Sequence, residues 1–270
     1  MFCPSLHTLE GLRPEQAVEA VLAGYRGQTQ VRGGVVLVAL RSSSREHGVQ
    51  MARLAARYLQ HRAEDPVGVV GLDVAGDEGS FPLASDQAPM AGGVREAALL
   101  SIPLTLHAGE WPERFGSVEN LAWAVSNENT RRLGHAVTVR SRPDLADLMV
   151  ARNITVEVCL TSNIGQSIRV RLRVSECCLS GNGFKVANYS VHPVKILHER
   201  GVKFSLSSDN LLLSGDLAQA PSPTGELLHL VHHVGLGWEV ARQSVLSGLR
   251  AAFSPGVDER FIQTVEAGLT

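Results

Sequence analysis

Histidine and carboxylate side chains recur in this sequence where apolar segments end, and these groups suit acid–base or metal-assisted chemistry. In His107-Ala108-Gly109-Glu110 an imidazole and a carboxylate stand three positions apart, and the glycine between them permits a sharp turn. An imidazole nitrogen binds zinc and a carboxylate transfers a proton, which are the two tasks of metal-assisted hydrolysis. A single histidine at a strand end more often serves only as a hydrogen-bonding group, so this motif alone does not define a site.

Two further groups, His135 and Asp209, follow later apolar segments. Asp209 taken alone is equally well interpreted as the cap of a following helix. If the three segments are strands of one parallel barrel, however, their terminal side chains converge at one mouth. Such convergence of metal-binding and basic groups favours a reaction centre.

The remaining histidines and the cysteines have simpler interpretations. His229, His232 and His233 lie at i, i+3 and i+4 of a predicted helix, a spacing that can hold a metal. No carboxylate accompanies them at catalytic spacing, so we interpret them as an exposed or interface face. The four cysteines lack the spacing of a disulfide framework or a zinc knuckle, and we expect all of them to be reduced.

The reactive groups belong to a repeating strand–helix order. Segments rich in Val, Ile and Leu predict six buried strands: Val35 to Leu40, Val67 to Val74, Ile102 to His107, Leu133 to Val139, Ile154 to Cys159 and Val202 to Leu206. Helical patterns separate most of the strands and also follow the last one: 14–25, 43–60, 90–100, 117–127, 143–151, 191–200, 224–234, 237–252 and 257–267. Ser43 and Glu46 form a possible capping box at the start of the second helix, and Gly201 ends the helix at 191–200. This order predicts a parallel α/β sheet.

The placement of polar groups after five successive strands favours a closed (β/α)8 TIM-type barrel over an open doubly wound sheet. Only six of the eight strands that a barrel requires are predicted, and the shortfall lies at the N-terminus. We therefore expect one incomplete barrel domain over residues 1–270, with an open seam beside Val35–Leu40. Residues 164–190 interrupt the pattern, and we predict a disordered insertion there, with a lid over the site as the alternative.

Composition excludes several classes of function. The 270 residues are 44% hydrophobic, and 25 Lys and Arg stand against 27 Asp and Glu. The resulting net charge of −2 disfavours a general nucleic-acid binder or a protein of anionic membrane surfaces. No apolar run is long enough to span a bilayer, and the first residues lack a secretory signal pattern, so we expect a cytoplasmic protein.

Five segments, in this order, resemble the motifs of the adenosine and AMP deaminase family of metal-dependent hydrolases. They are Asp73-Val74-Ala75-Gly76-Asp77-Glu78, Leu106-His107-Ala108-Gly109-Glu110, Arg132-Leu133-Gly134-His135, Glu157-Val158-Cys159-Leu160-Thr161-Ser162-Asn163 and Ser205-Leu206-Ser207-Ser208-Asp209. The resemblance extends from about Phe2 to the C-terminal helices and excludes residues 164–190. The His-x-Glu and Pro-Cys-x-x-Cys signature of the other zinc deaminase scaffold is absent from the sequence.

The resemblance implies a zinc-dependent barrel enzyme that removes the 6-amino group of a purine nucleoside, converting adenosine or deoxyadenosine to inosine and ammonia. It implies that His107 and Asp209 bind the zinc ion and that Glu110 transfers a proton at purine N1. It also implies that His135 orients the attacking hydroxide and that the backbone of Gly76 contacts the purine.

The sequence departs from the family pattern at three places. It contains no His-x-His, which supplies two zinc ligands in the family, so the chain resembles an N-terminally truncated member with two protein ligands where catalytic zinc normally has at least three. Asn210 stands where the family has a second Asp that contacts purine N7, although an amide NH2 still donates to N7. The third departure is the insertion at 164–190 beside the mouth.

Two alternative functions stand beside this interpretation. One is a catalytically inactive deaminase-like protein that binds a nucleoside or a partner weakly, which the missing His-x-His favours. The other is a different amidohydrolase, such as a cytosine deaminase, which fits the motifs of Asp73–Glu78 and His107–Glu110 less well. The sequence leaves the oligomeric state open.

Overall fold

Six parallel strands form one sheet in the computed structural model, which describes residues 1–8, 10–27, 33–59, 67–85, 87–111, 113, 116–164, 186–210 and 222–269. The strands are hydrogen-bonded in chain order: β1 (Val35–Leu40), β2 (Val69–Ala75), β3 (Leu104–Ala108), β4 (Thr130–His135), β5 (Thr155–Val158) and β6 (Phe204–Leu206). Every neighbouring pair is parallel, as in a β/α barrel. The predicted fold class is confirmed.

Helices alternate with the strands and cover the outside of the sheet. They are α1 (Pro14–Arg26), α2 (Arg45–Arg57), α3 (Ala91–Leu99), α4 (Ser117–Ser126), α5 (Asp144–Ala151), α6 (Leu160–Ile164), α7 (Val194–Glu199), α8 (Pro223–His229), α9 (Trp238–Arg250) and α10 (Glu259–Gly268). The core between the two layers contains strand residues with no exposed surface, among them Leu37, Leu72, Leu104 and Leu133. Fully buried strands explain why these segments are continuously apolar.

The sheet does not close into a barrel within the described part of the chain. Phe2 lies beside β1, where its N–H donates to Val36 O and its carbonyl accepts from Val38 N–H, both at 2.9 Å. No strand among the described residues joins β6 to this edge. The predicted seam beside β1 is therefore present.

Strand β4 differs from its prediction. It ends at His135 rather than Val139, because His135 and Ala136 adopt left-handed backbone angles (φ 66° and 49°), and residues Val137–Ser141 form a 3₁₀ helix. The strand also begins earlier, at Thr130, and includes Arg132. That arginine is accommodated because its Nε lies 2.6 Å from Glu157 Oε1 and its guanidinium lies 3.9 Å from the centre of the Phe253 ring.

Two helix boundaries also depart from the sequence pattern. Helix α2 is capped by Ser44, whose Oγ accepts the N–H of His47 at 3.2 Å, so the prediction of Ser43 as the cap was wrong by one residue. Helix α8 ends at His229 and continues as a π-helix over Leu230–Val234. The left-handed Gly201 after α7 (φ 74°) is confirmed as predicted.

Part of the predicted insertion at 164–190 can be described. Residues 165–185, which include Cys177 and Cys178, lie outside the described residues. The end of the segment is packed: Val186 is buried and its N–H donates to Asn163 O at 2.9 Å. Cys3 and Cys159 are free thiols, as predicted. Among the helices described here, none has the length and apolar character that crossing a bilayer requires.

Candidate active site

The carboxyl ends of strands β3 to β6 border a cavity of about 480 Å³. His107, His135, Glu157, Cys159 and Asp209 line it, together with Met1, Gly134, Leu206, Ser207, Ser208, Asn210 and Pro223. This volume falls within the range of roughly 300–1,000 Å³ that is common for small-molecule sites. The structure thus brings His107, His135 and Asp209, predicted from separate segments, to one mouth.

Two predicted residues occupy less central positions. Glu110 is half-buried in the loop after β3, and its Oε1 lies 3.5 Å from Nε2 of His135. Gly76 follows β2 at φ 116° and is not among the described residues that line the cavity. The rings of His107 and His135 are 5.0 Å apart at an angle of 61°.

His107 is paired with a buried carboxylate. Its Nδ1 lies 2.9 Å from Oδ2 of Asp73, a β2 residue with no exposed surface. Burial alone would lower the pKa of His107, but Asp73, with Glu110 and Glu157, outweighs that effect and raises the pKa to about 9. A carboxylate at one ring nitrogen orients the ring and leaves Nε2 for a metal, an arrangement common around metal-binding histidines.

The loop that carries Glu110 is held by Glu78. The Glu78 carboxylate is buried and accepts three backbone N–H groups: Gly109 at 2.7 Å, Glu110 at 2.9 Å and Trp111 at 3.1 Å. Burial raises the pKa of Glu78, while the Arg41 guanidinium and these N–H groups oppose the rise. Three bonds to one carboxylate fix the direction in which the loop leaves β3.

Arg41 connects the loop after β2 with the end of strand β3. It is among the largest fully buried side chains, and it donates to the carbonyl oxygens of Phe81, at 3.1 Å, and His107. Glu78, Asp73 and Glu110 surround its charge, although burial still lowers the pKa of Arg41. A buried guanidinium with several donors can bind a loop and a strand at once, which an ammonium cannot do with the same geometry.

Two site residues have unusual backbone conformations. His135 (φ 66°) and Asp209 (φ 57°) are non-glycine residues in the left-handed region. Such a conformation costs about 1–3 kcal/mol and persists where the surrounding structure imposes it, which occurs often at functional sites. Histidine and aspartate adopt this region more often than most residues, but their spacing in the sequence does not signal it at these two positions.

The donor atoms at this mouth are of the types that zinc binds. Ligand atoms of His135, Cys159 and Asp209 lie within 4.8 Å of one another, the group of this kind found among the described residues, and His107, which the resemblance implies as a ligand, is not part of that group. Nitrogen, sulfur and carboxylate oxygen are the donors that zinc takes in proteins. Burial, together with the Asp209 carboxylate, raises the pKa of the Cys159 thiol, so this sulfur is protonated when no metal is bound.

A parallel strand–helix sheet with histidines and carboxylates at one mouth defines a protein of the β/α-barrel class with one polar cavity at the carboxyl ends of its strands. The particular family is given by comparison with known proteins. The sequence profile described as adenosine deaminase matches residues 1–265, and the chain belongs to this adenosine deaminase family.

One relative agrees with this assignment in sequence, and two solved structures share the fold. An adenosine deaminase of Enterococcus faecalis is 32% identical over 252 residues, which are 93% of this chain and 65% of that protein. A zinc-containing amidohydrolase structure from Burkholderia ambifaria has a TM-score of 0.75 at 19% identity and covers 99% of this chain and 65% of that one. An N6-methyl-AMP deaminase from Arabidopsis thaliana has a TM-score of 0.68 at 20% identity, covering 96% and 67%. This chain therefore spans slightly less than two thirds of the Enterococcus protein.

Sequence reasoning missed the residues that support the site. Asp73 and Glu78 stand inside a motif that we singled out, yet their partners lie on other strands and loops. The proximity of Arg41 to His107 O depends on the order of strands in the sheet, and no local pattern signals it. The histidine triplet at 229–233 forms no metal-binding group with the described residues; His229 and His233 instead stack on Tyr189, with ring centres 4.5 and 5.4 Å away.

Proposed function

We propose that this chain carries the reaction centre of a purine deaminase, which replaces the 6-amino group of adenosine with oxygen from water and releases ammonia. The observation that supports this proposal best is the position of Glu110. Its carboxylate lies 3.5 Å from His135, which lines the cavity together with His107 and Asp209, and Glu78 fixes the backbone that carries it. A carboxylate that can transfer a proton is thus available behind one wall of a cavity whose volume suits a small molecule.

In this proposal His107 and Asp209 hold a zinc ion. When bound, zinc activates water as a nucleophile at neutral pH. The pairing of His107 Nδ1 with Asp73 supports this assignment, because it aims one ring nitrogen at the carboxylate and leaves the other for the ion.

The remaining steps belong to the chain's own side chains. Glu110 protonates purine N1, which withdraws electrons from C6 and makes that carbon a better electrophile. His135 holds and orients the attacking water. The backbone of Gly76 and the amide of Asn210 orient the purine, the amide by donating to N7.

The preferred substrate is tested by comparing purines. We propose adenosine, or deoxyadenosine, because the Enterococcus relative is named an adenosine deaminase, whereas the Arabidopsis structure with the same fold is named an N6-methyl-AMP deaminase. Zinc-supplemented protein should be assayed for the ultraviolet change of deamination with adenosine, deoxyadenosine, AMP and N6-methyl-AMP. Faster turnover of a nucleotide than of adenosine would overturn the substrate assignment, and no turnover of any purine would overturn the proposed activity.

A nucleoside-binding protein without turnover is the second candidate function. The absence of His-x-His from the sequence favours it, since it leaves two proposed protein ligands for zinc. Calorimetric titration with adenosine, carried out on the same samples as the rate assay, separates binding without turnover from catalysis.

A further inference from the structure

A continuous line of hydrogen bonds runs from the start of helix α7 to His135. It comprises Val194, His192, Asn163 and His135, and the three side chains are buried, with exposures of 2%, 0% and 2% for His192, Asn163 and His135. The site described above does not account for Asn163 or His192. Buried polar groups in such a line must each match a donor with an acceptor.

The backbone of Val194 fixes the direction of the whole line. Its N–H can only donate, and it lies 3.1 Å from His192 Nδ1, so that nitrogen is an acceptor and carries no proton. In a neutral ring the proton is then on Nε2, which lies 3.2 Å from Asn163 Oδ1. With its oxygen facing His192, Asn163 turns its NH2 group toward His135, and Nδ2 lies 3.0 Å from His135 Nδ1.

We propose that Asn163 and His192 are positioning residues that hold neutral His135 in the tautomer with its proton on Nε2. Asn163 Nδ2 donates to His135 Nδ1, so the proton of a neutral His135 ring is on Nε2. Because Nε2 lies 3.5 Å from Glu110 Oε1, that proton faces Glu110 and the cavity. The catalytic consequence rests on the proposed function, whereas the tautomer itself does not.

The surroundings of His192 keep its ring neutral, and this fixes which atoms donate and which accept along the line of hydrogen bonds. Burial, reinforced by His135 and Arg140, lowers the pKa of His192 to about 3, so the ring is neutral wherever the protein works near neutrality. A neutral His192 cannot reverse the line without losing the bond from Val194. The same argument makes His135 a donor toward the cavity rather than a metal ligand, although its ring lies near Cys159 and Asp209.

The tautomer can be read directly by NMR. Protein labelled with ¹⁵N-histidine gives long-range proton–nitrogen correlations that distinguish a protonated from an unprotonated ring nitrogen. We expect wild-type His135 and His192 to carry protons on Nε2 and none on Nδ1. Exposed His198, replaced in His198→Gln, is the control for assignment and for nonspecific effects.

Asn163→Asp tests the link with almost no change of shape. A carboxylate accepts from both rings, so His135 Nδ1 should gain a proton in this variant. With adenosine, kcat should fall by at least about 10²-fold while KM changes little, because the group is still present but its proton is misplaced. In His192→Phe, Asn163 loses its donor, so His135 should no longer be restricted to the tautomer with its proton on Nε2. In His192→Gln, which keeps a donor toward Asn163, His135 should retain that tautomer.

Several results would overturn the inference. One is a wild-type His135 with its proton on Nδ1, and another is an Asn163→Asp variant whose Nδ1 stays unprotonated. If Asn163→Asp does not fold, the two His192 variants test the inference instead. The same His135 tautomer in His192→Phe and His192→Gln would show that His192 does not position His135. The predicted spectra combined with no turnover of any purine would leave this inference standing and reject the proposed function.

Discussion

At the scale of single residues, the orientation of each reactive group in the site is set by a buried hydrogen-bonding residue that does not face the cavity. Asp73 orients His107, Asn163 orients His135, and Glu78 orients the backbone of Glu110. Each supporting residue is buried and belongs to a different segment from the group that it orients. A substitution in the supporting residue should therefore alter chemistry without touching a substrate.

Glu110→Gln tests the proton-transfer role most directly. We expect kcat with adenosine to fall by about 10²- to 10⁴-fold, since general acid–base catalysis contributes that much, while zinc content and nucleoside binding stay largely unchanged. His198→Gln is the control, because His198 is exposed and lies outside the cavity. Near wild-type turnover in Glu110→Gln, or an equal loss of turnover in His198→Gln, would contradict the mechanism.

Zinc affinity follows from the number of ligands. With His107 and Asp209 as the protein ligands, equilibrium dialysis at neutral pH should give much weaker binding than a four-ligand site, because each missing ligand removes a large share of the binding free energy. His107→Ala should weaken binding further, and His198→Ala should not. Tight stoichiometric binding that survives His107→Ala would show that the ligand is another residue.

At the scale of elements, the described start of the loop between β3 and α4 is held at several points. Besides its three bonds to Glu78, Gly109 has φ 72°, and its carbonyl accepts the N–H of Thr138 at 2.9 Å. A Cβ atom at this position would lie 2.6 Å from Thr138 Oγ1. Both backbone angle and space therefore require glycine here.

Gly109→Ala and Gly201→Ala together separate these two requirements. Gly201 also has a left-handed backbone (φ 74°), but a Cβ there meets no atom within 4 Å. Gly201→Ala should cost about 1 kcal/mol of unfolding free energy from the backbone alone, whereas Gly109→Ala should cost about 1–3 kcal/mol more and also lower kcat by displacing Glu110. Urea unfolding and turnover measure both effects; equal stability losses in the two variants would remove the steric argument.

The elements themselves were largely predictable. Strand β1 has the predicted bounds, and β2, β3, β5 and β6 differ by a few residues, because buried parallel strands have a continuous apolar pattern. Strand β4 was misplaced since it contains Arg132, whose partners Glu157 and Phe253 are distant in sequence. Convergence of His107, His135 and Asp209 was predictable from strand order, but the pairing of His135 with Asn163 and His192 was not, because it depends on how α6 and α7 meet.

At the scale of the whole molecule, buried titratable groups make stability depend on pH. The folded protein binds no proton at His192 until the pH falls to about 3, whereas an exposed histidine in the unfolded chain takes one near pH 6.5. Between these values the unfolded state binds one proton more, so the stability contributed by neutral His192 is complete above about pH 6.5 and is lost as the pH falls. His107 has the opposite sign, because its folded pKa is raised to about 9 and its contribution is lost as the pH rises through that value.

The contribution of His192 can be isolated by comparing wild type with His192→Gln. Between pH 6.5 and 5.5 the wild type should lose about 1 kcal/mol more unfolding free energy than the variant, because the unfolded-state histidine goes from half to almost fully protonated over this interval. Urea unfolding at the two pH values, in the same buffer, gives this difference because all other groups cancel. Parallel losses in the two proteins would show that His192 is protonated in the folded state.

The buried carboxylates also make the dynamics of the site observable. The N–H groups of Gly109, Glu110 and Trp111 donate to Glu78, and the N–H of Thr161, at the start of α6, donates to Glu226 at 3.2 Å. These amides lie in loops and a first helical turn, where exchange with deuterated solvent is normally fast. Here exchange requires a carboxylate to leave its pocket, so the three amides on Glu78 should exchange together, and their common rate should report how often the loop that carries Glu110 opens.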